Sequence, residues 1–110
     1  MNTYSEMEQV CKLLADQTRL EMLTILAHQE VCICELVDYF DISQPAISKH
    51  IKKLRDHGLL IEKKQAQWKY YKLNQEYPYF HLIEQVIALC PPSSAKGSAC
   101  SALEKRGRHQ

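Results

Sequence analysis

With 110 residues the chain has room for one domain, of a size that folds without disulfide or metal staples, and its formal net charge of +1 conceals a sharp asymmetry. Residues 1–43 carry two cations against eight carboxylates, a net of −6; residues 44–73 carry eight cations against two carboxylates, a net of +6; the remainder adds +1. Neighbouring segments of opposite sign point to a polyanion as the partner of the middle of the chain. The opening Met1-Asn2-Thr3-Tyr4-Ser5-Glu6 lacks the basic and apolar regions of an export signal, and no apolar run approaches the ~20 residues of a membrane span. Secreted and membrane classes are therefore set aside in favour of a cytoplasmic protein. Its five cysteines, an odd number, read as reduced thiols.

In chain order, Val10, Leu13 and Leu14 belong to a first helix that stops near Asp16, a good N-cap for the next. Leu20, Leu23, Leu26 and Ala27 repeat at helical spacing, and Cys34, Leu36, Val37 and Phe40 mark a short third helix ending at the turn Asp41-Ile42-Ser43. Ser43 then caps a fourth helix, with Pro45 in the first turn, where its missing N–H does no harm. Ile47, Ile51 and Leu54 line the inner face of this helix, Gln44, Ser48, Lys52 and Arg55 lie opposite, and Gly58 stands in the position favoured for a C-cap.

Beyond Gly58 the period becomes extended, giving strands over 59–64 and 68–73 around the bend Gln65-Ala66-Gln67. A hairpin bearing Lys63, Lys64, Lys69 and Lys72 directly after a helix-turn-helix predicts a winged helix, mainly α in the order α-α-α-α-β-β-α. A last helix, over 79–90, has Phe80, Ile83, Val86, Ile87 and Cys90 near one face, more apolar than a lone surface helix should be, and is expected to pair with a second copy. Residues 1–90 thus form the DNA-binding and dimerisation domain, and 91–110 a flexible basic tail.

Several blocks in this order resemble the ArsR/SmtB metalloregulatory repressors over roughly residues 10–90: Leu14-Ala15-Asp16-Gln17-Thr18-Arg19-Leu20, Val31-Cys32-Ile33-Cys34-Glu35-Leu36, the run from Ser43 to Leu54, Gly58-Leu59-Leu60 and Trp68-Lys69-Tyr70-Tyr71-Lys72-Leu73. The resemblance implies a homodimer that blocks transcription and leaves its operator when a metal ion binds. It places the helix from Ser43 in the major groove, with Gln44 and Ser48 near base edges, and Ser43, Lys49, His50, Lys52, Lys53, Lys63, Lys64 and Lys69 as the further DNA-binding residues, mostly on phosphates. Two such helices about 34 Å apart would read an imperfect palindrome of double-stranded DNA, with binding that weakens steeply in salt. The wing bend departs from the family pattern in having no glycine.

The same resemblance makes Cys32 and Cys34 the metal-binding pair of an arsenite- or antimonite-responsive member, with cadmium or lead as the alternative inducer and no resident cofactor required. On a regular helix residues i and i+2 point about 200° apart, so chelation by both sulfurs implies a distorted first turn, and with it a route to the neighbouring recognition helix. A helix N-terminus also favours thiolates. The family's third arsenic-binding cysteine position is occupied by Val37, leaving Cys11, on the apolar side of the first helix, Cys90 and Cys100 as open candidates. The family's zinc site in the last helix is disfavoured, because Gln75-Glu76-Tyr77 lacks its Asp and His, and His81, on one face with Glu84, reads as a surface or interface residue. A thiol-redox repressor is the rival reading. An enzyme is not indicated: there is no Cys-x-x-Cys before a helix, no glycine-rich phosphate loop and no nucleophile constellation.

Overall fold

The computed structural model describes residues 3–91. Five helices and a small sheet follow in the order α1 (Tyr4–Leu14), α2 (Gln17–Leu26), β1 (Val31–Cys32), α3 (Ile33–Tyr39), α4 (Gln44–Asp56), β2 (Leu60–Gln65), β3 (Trp68–Leu73) and α5 (Phe80–Leu89). The basic tail and Cys100 lie outside the described residues.

Each of the first four helices starts where a side chain can take an orphan N–H. Thr3 and Glu6 form a reciprocal capping box on α1, Asp16 accepts from the Arg19 N–H on α2, and Ser43 accepts from the Ala46 N–H on α4. The end of α4 is equally well defined. Gly58 adopts φ +84, its N–H donates to the Arg55 carbonyl at 2.8 Å, and the Leu59 N–H reaches back to Leu54 at 3.0 Å, the Schellman pattern that the sequence places at this glycine. Asn74 ties the far end of β3 to the same turn, donating Nδ2 to the Gly58 carbonyl and its backbone N–H to Leu59.

The sheet is antiparallel with strand order β1-β3-β2, and β1 is an element that the predicted order lacks. It is two residues long, too short for any alternation of apolar and polar side chains, and the sequence reading takes its second residue, Cys32, as part of the first turn of the third helix. Val31 pairs with Tyr71 and Cys32 with Tyr70, while β2 and β3 run in register from Leu60–Leu73 to Gln65–Trp68. Strand β2 is one residue later than predicted, because Leu59 completes the helix cap.

Met22, Leu23, Val31, Leu36, Tyr39, Ile47, Ile51, Leu54, Leu59 and Ile83 are fully buried and join all five helices except α1, which adds Leu13, to the sheet. Ala27, read as part of the α2 stripe, is exposed, as is Cys11, expected on the apolar side of α1; both sit at the edge of their stripes rather than within them. In α5 only Ile83 is fully buried and Leu89 is 86% exposed.

The glycine-free wing turns through Ala66 and Gln67, with Ala66 at φ +56. That left-handed conformation is strained for any residue with a Cβ. Ala66→Gly should therefore raise stability by about 0.5–1 kcal/mol, read as a higher urea midpoint.

Candidate nucleic-acid interface and thiol site

The outer surface of α4 carries Gln44, Lys49, Lys52 and Lys53 exposed, with Ser48 and His50 half-buried between them, while Ile47, Ile51 and Leu54 anchor the opposite face. Ser43 is exposed; its Oγ accepts the Ala46 N–H at 3.3 Å, and its hydroxyl hydrogen is left to donate to an outside acceptor. Lys52 is held by Asp56 at 2.8 Å, Lys63 lies 3.6 Å from Glu30, and Lys69 lies 3.9 Å from Glu62; all three pairs are solvent-exposed enough to exchange for phosphate at little cost. Helix and wing thus bring the predicted cations to one part of the chain, on α4 and on the β2–β3 hairpin that follows it.

His50 is placed differently from the other residues of this surface. Its Nδ1 lies 3.2 Å from Arg19 Nη1, and burial, reinforced by Arg19, Lys53 and Lys49 against the opposing pull of Asp16, holds its pKa below the ordinary 6.5. A neutral ring accepting at Nδ1 carries its hydrogen on Nε2, the nitrogen left to donate outward. Because the folded value is depressed, the unfolded chain binds a proton first as pH falls through 6.5, so His50 subtracts stability below that pH and not above it. In His50→Gln, which keeps an acceptor for Arg19, the loss of stability on going from pH 7.5 to 5.5 should be smaller than in the parent, as measured by urea unfolding at the two pH values.

Arg19 itself is 7% exposed although charged. Its Nε donates to the Leu13 carbonyl at 2.7 Å and Nη2 to Lys12 at 3.2 Å, satisfying the C-terminal carbonyls of α1 while Nη1 meets α4. Asp16, 3.8 Å from the guanidinium, has its pKa lowered first by the Arg19 backbone N–H that it caps. Sequence reasoning assigned no role to Arg19. A second unassigned joint lies in the last turn of α4, where Glu62 Oε1 accepts from both Arg55 Nη1 and the Tyr71 hydroxyl, each at 2.9 Å.

The sulfur site sits at the junction of β1 and α3. Cys32 is the N-cap of α3 in extended conformation (φ −96, ψ 165), buried; Cys34, in the first turn, is exposed. Their Sγ atoms are joined as a disulfide, with Cα atoms 5.4 Å apart, where the sequence reading takes them as free thiols. The distorted helical turn expected for their convergence is also absent. With Cys32 outside the helix, an i, i+2 pair need not diverge, and the two sulfurs meet while α3 remains regular from Ile33 onward. Cys32 Sγ accepts the Glu35 N–H at 3.4 Å and Glu35 Oε1 accepts the Cys32 N–H at 2.9 Å, a capping box built on sulfur.

Among the described residues no third cysteine joins this pair. Cys11 is an exposed residue of α1, Cys90 is the half-buried C-cap of α5, and among the described residues no group of three or more His, Cys, Asp or Glu side chains is arranged to hold a metal ion. His81 is fully exposed, 3.6 Å from Glu84. No helix among the described residues is long and apolar enough to cross a membrane.

A helix-turn-helix whose second helix is amphipathic and basic, followed by a lysine-bearing hairpin, is the architecture of DNA-binding winged-helix proteins. Residues 16–62 match the bacterial regulatory protein arsR family. An arsenical resistance operon repressor of Staphylococcus xylosus is 34% identical over 102 residues, covering 93% of this chain and 95% of that protein. The arsenic resistance transcriptional regulator ArsR1 of Pseudomonas putida is 44% identical over 70 residues, 63% of this chain but only 55% of its own length. Among solved structures, the transcriptional regulator HlyU of Vibrio vulnificus superposes with a TM-score of 0.66 at 32% identity, covering 79% of this chain and 90% of that one. The chain belongs to the arsR family of bacterial regulatory proteins.

Proposed function

We propose that the protein is a cytoplasmic, homodimeric transcriptional repressor, not an enzyme, that holds double-stranded operator DNA and releases it when arsenite or antimonite binds the Cys32 and Cys34 thiolates. The observation that carries this reading is the convergence of two sulfurs at the junction of β1 and α3, the short helix that leads by one turn into the recognition helix. The names of the relatives from Staphylococcus xylosus and Pseudomonas putida, both concerned with arsenic resistance, support the choice of ion.

The donor set fits a soft, thiophilic ion and not a hard one: once reduced, the pair presents two thiolates side by side. A sulfur shared with such an ion is a poorer acceptor for the Glu35 N–H, so occupancy acts on the cap of α3 and on β1 together. The third ligand is Cys11, Cys90 or Cys100, or none; cadmium or lead is the alternative inducer and would draw on Cys11. On the DNA side, Gln44 and Ser48 read base edges and Ser43, Lys49, His50, Lys52, Lys53, Lys63, Lys64 and Lys69 hold the backbone of an imperfect palindrome. The half-exposed apolar residues of α5, with the bare Leu89, supply the surface for a second copy.

A thiol-redox repressor is the second reading, favoured by one observation: the 5.4 Å Cα separation of Cys32 and Cys34 lies within the range that a disulfide spans. Fluorescence anisotropy of the reduced protein on the DNA upstream of its own gene, titrated separately with arsenite, cadmium, zinc and peroxide, separates the alternatives. Release by arsenite is the expected result. Release by peroxide alone would replace ion sensing with redox sensing, and absence of binding before any addition would overturn the assignment of this DNA as operator.

A further inference from the structure

We propose that Glu62 is a positioning residue that couples the sulfur site to DNA, one of its oxygens joining the wing to the recognition helix. Glu62 Oε1 accepts from the Tyr71 hydroxyl on β3 and from Arg55 Nη1 in the last turn of α4, both at 2.9 Å. The carboxylate stays ionised across the working range, its pKa lowered by the Tyr71 hydroxyl first and by Arg55 next. Tyr71 is itself buried, and its backbone pairs on one side with Glu62 and on the other with Val31, the residue before Cys32. Cys32 pairs with the neighbouring Tyr70.

An unbroken set of contacts therefore runs from the Cys32 backbone, across two pairs of a two-residue edge strand, into Tyr71, through one carboxylate oxygen, to Arg55 on α4. With the sulfurs together α3 stays regular, and the two-residue edge strand, buried and paired along its whole length with β3, is the element through which the site touches the wing. Arg55, though on the basic helix, serves as a strut to the wing rather than as a phosphate contact.

This inference rests on the proposed release by a thiophilic ion. The test uses the full-length reduced protein with Tyr71→Phe and Glu62→Ala, neither of which can form the shared pair of bonds. Arsenite affinity is read from thiolate–arsenic absorbance, and operator affinity from anisotropy with and without arsenite. Both variants should bind arsenite as the parent does and bind operator within about threefold of it. The arsenite-induced fall in operator affinity should shrink at least threefold, the scale on which residues along a coupling route act. A purely structural role would lower operator affinity or melting temperature and leave that ratio alone. An unchanged ratio in both variants overturns the Glu62 joint while leaving the proposed function standing, and would assign the coupling to the direct packing of α3 on α4. A parent that binds operator but is not released by arsenite overturns both.

Discussion

Cys34→Ser should bind operator as the parent does and be deaf to arsenite. Cys34 is exposed in the first turn of α3, where serine is well tolerated, so the substitution leaves fold and DNA surface intact. What it removes is one of two adjacent soft donors, and a hydroxyl does not replace a thiolate for a thiophilic ion. Cys32→Ser makes a stricter pair with it. Serine is among the best N-caps, so the reciprocal bonds with Glu35 survive while the sulfur is lost, and any loss of response is chemical rather than structural. Allosteric couplings of this kind typically change affinity by about 5–150-fold, and both variants should lose all of it. Anisotropy titration with arsenite measures this directly, and a retained response in Cys34→Ser would remove the pair as the sensing site. The same titration on Cys11→Ser and Cys90→Ser tests the third donor.

How much of this was legible beforehand follows from what each feature needed. The recognition helix announces itself through three independent signals, the Ser43 cap with Pro45, the Ile47/Ile51/Leu54 stripe and the concentration of lysine, and all three agree with the structure. The wing was legible for the same reason, whereas β1 was not, since two residues carry no period. Missing β1 also misplaced Cys32. Taken as helical, Cys32 and Cys34 diverge; taken as an N-cap and its second helical neighbour, they converge. A signal for the second arrangement was present, because Cys32-Ile33-Cys34-Glu35 is a capping box with sulfur in place of the usual hydroxyl. Cys11 illustrates the opposite failing. Cysteine's preference for interiors favours burial, and only the rotation of α1 against α2 decides that it faces out. The long-range bonds of Glu62 join residues from three elements, and no local pattern encodes them.

Arg19 is where composition misleads most, since arginine is rarely buried, and its replacement should cost as much stability as truncating a core side chain. Arg19→Ala takes from the buried Leu13 carbonyl its side-chain donor, leaves the Lys12 carbonyl to the Ala15 N–H alone, removes the partner of His50 Nδ1 and opens a space between α1, α2 and α4. Each hydrogen bond to a charged group contributes on the order of 1.5–3 kcal/mol, and unpaired buried acceptors add their own desolvation cost; because the bonds share one side chain they do not sum, and a total loss of about 2–4 kcal/mol is expected. Arg19→Lys should recover only part of this, because a single ammonium cannot reproduce the fork that serves two carbonyls and an imidazole at once. Asp16→Asn, by contrast, keeps a side-chain oxygen for the Arg19 N–H and should cost under about 1 kcal/mol. Urea unfolding at pH 7.5 ranks the three, and Arg19→Ala within about 0.5 kcal/mol of the parent would refute the role. The functional consequence follows from the same contacts. With the tie of α4 to α1 and α2 at His50 weakened, the middle of the recognition helix rests on its apolar face and its last turn on Arg55, so Arg19→Lys should bind operator more weakly than its residual stability alone accounts for.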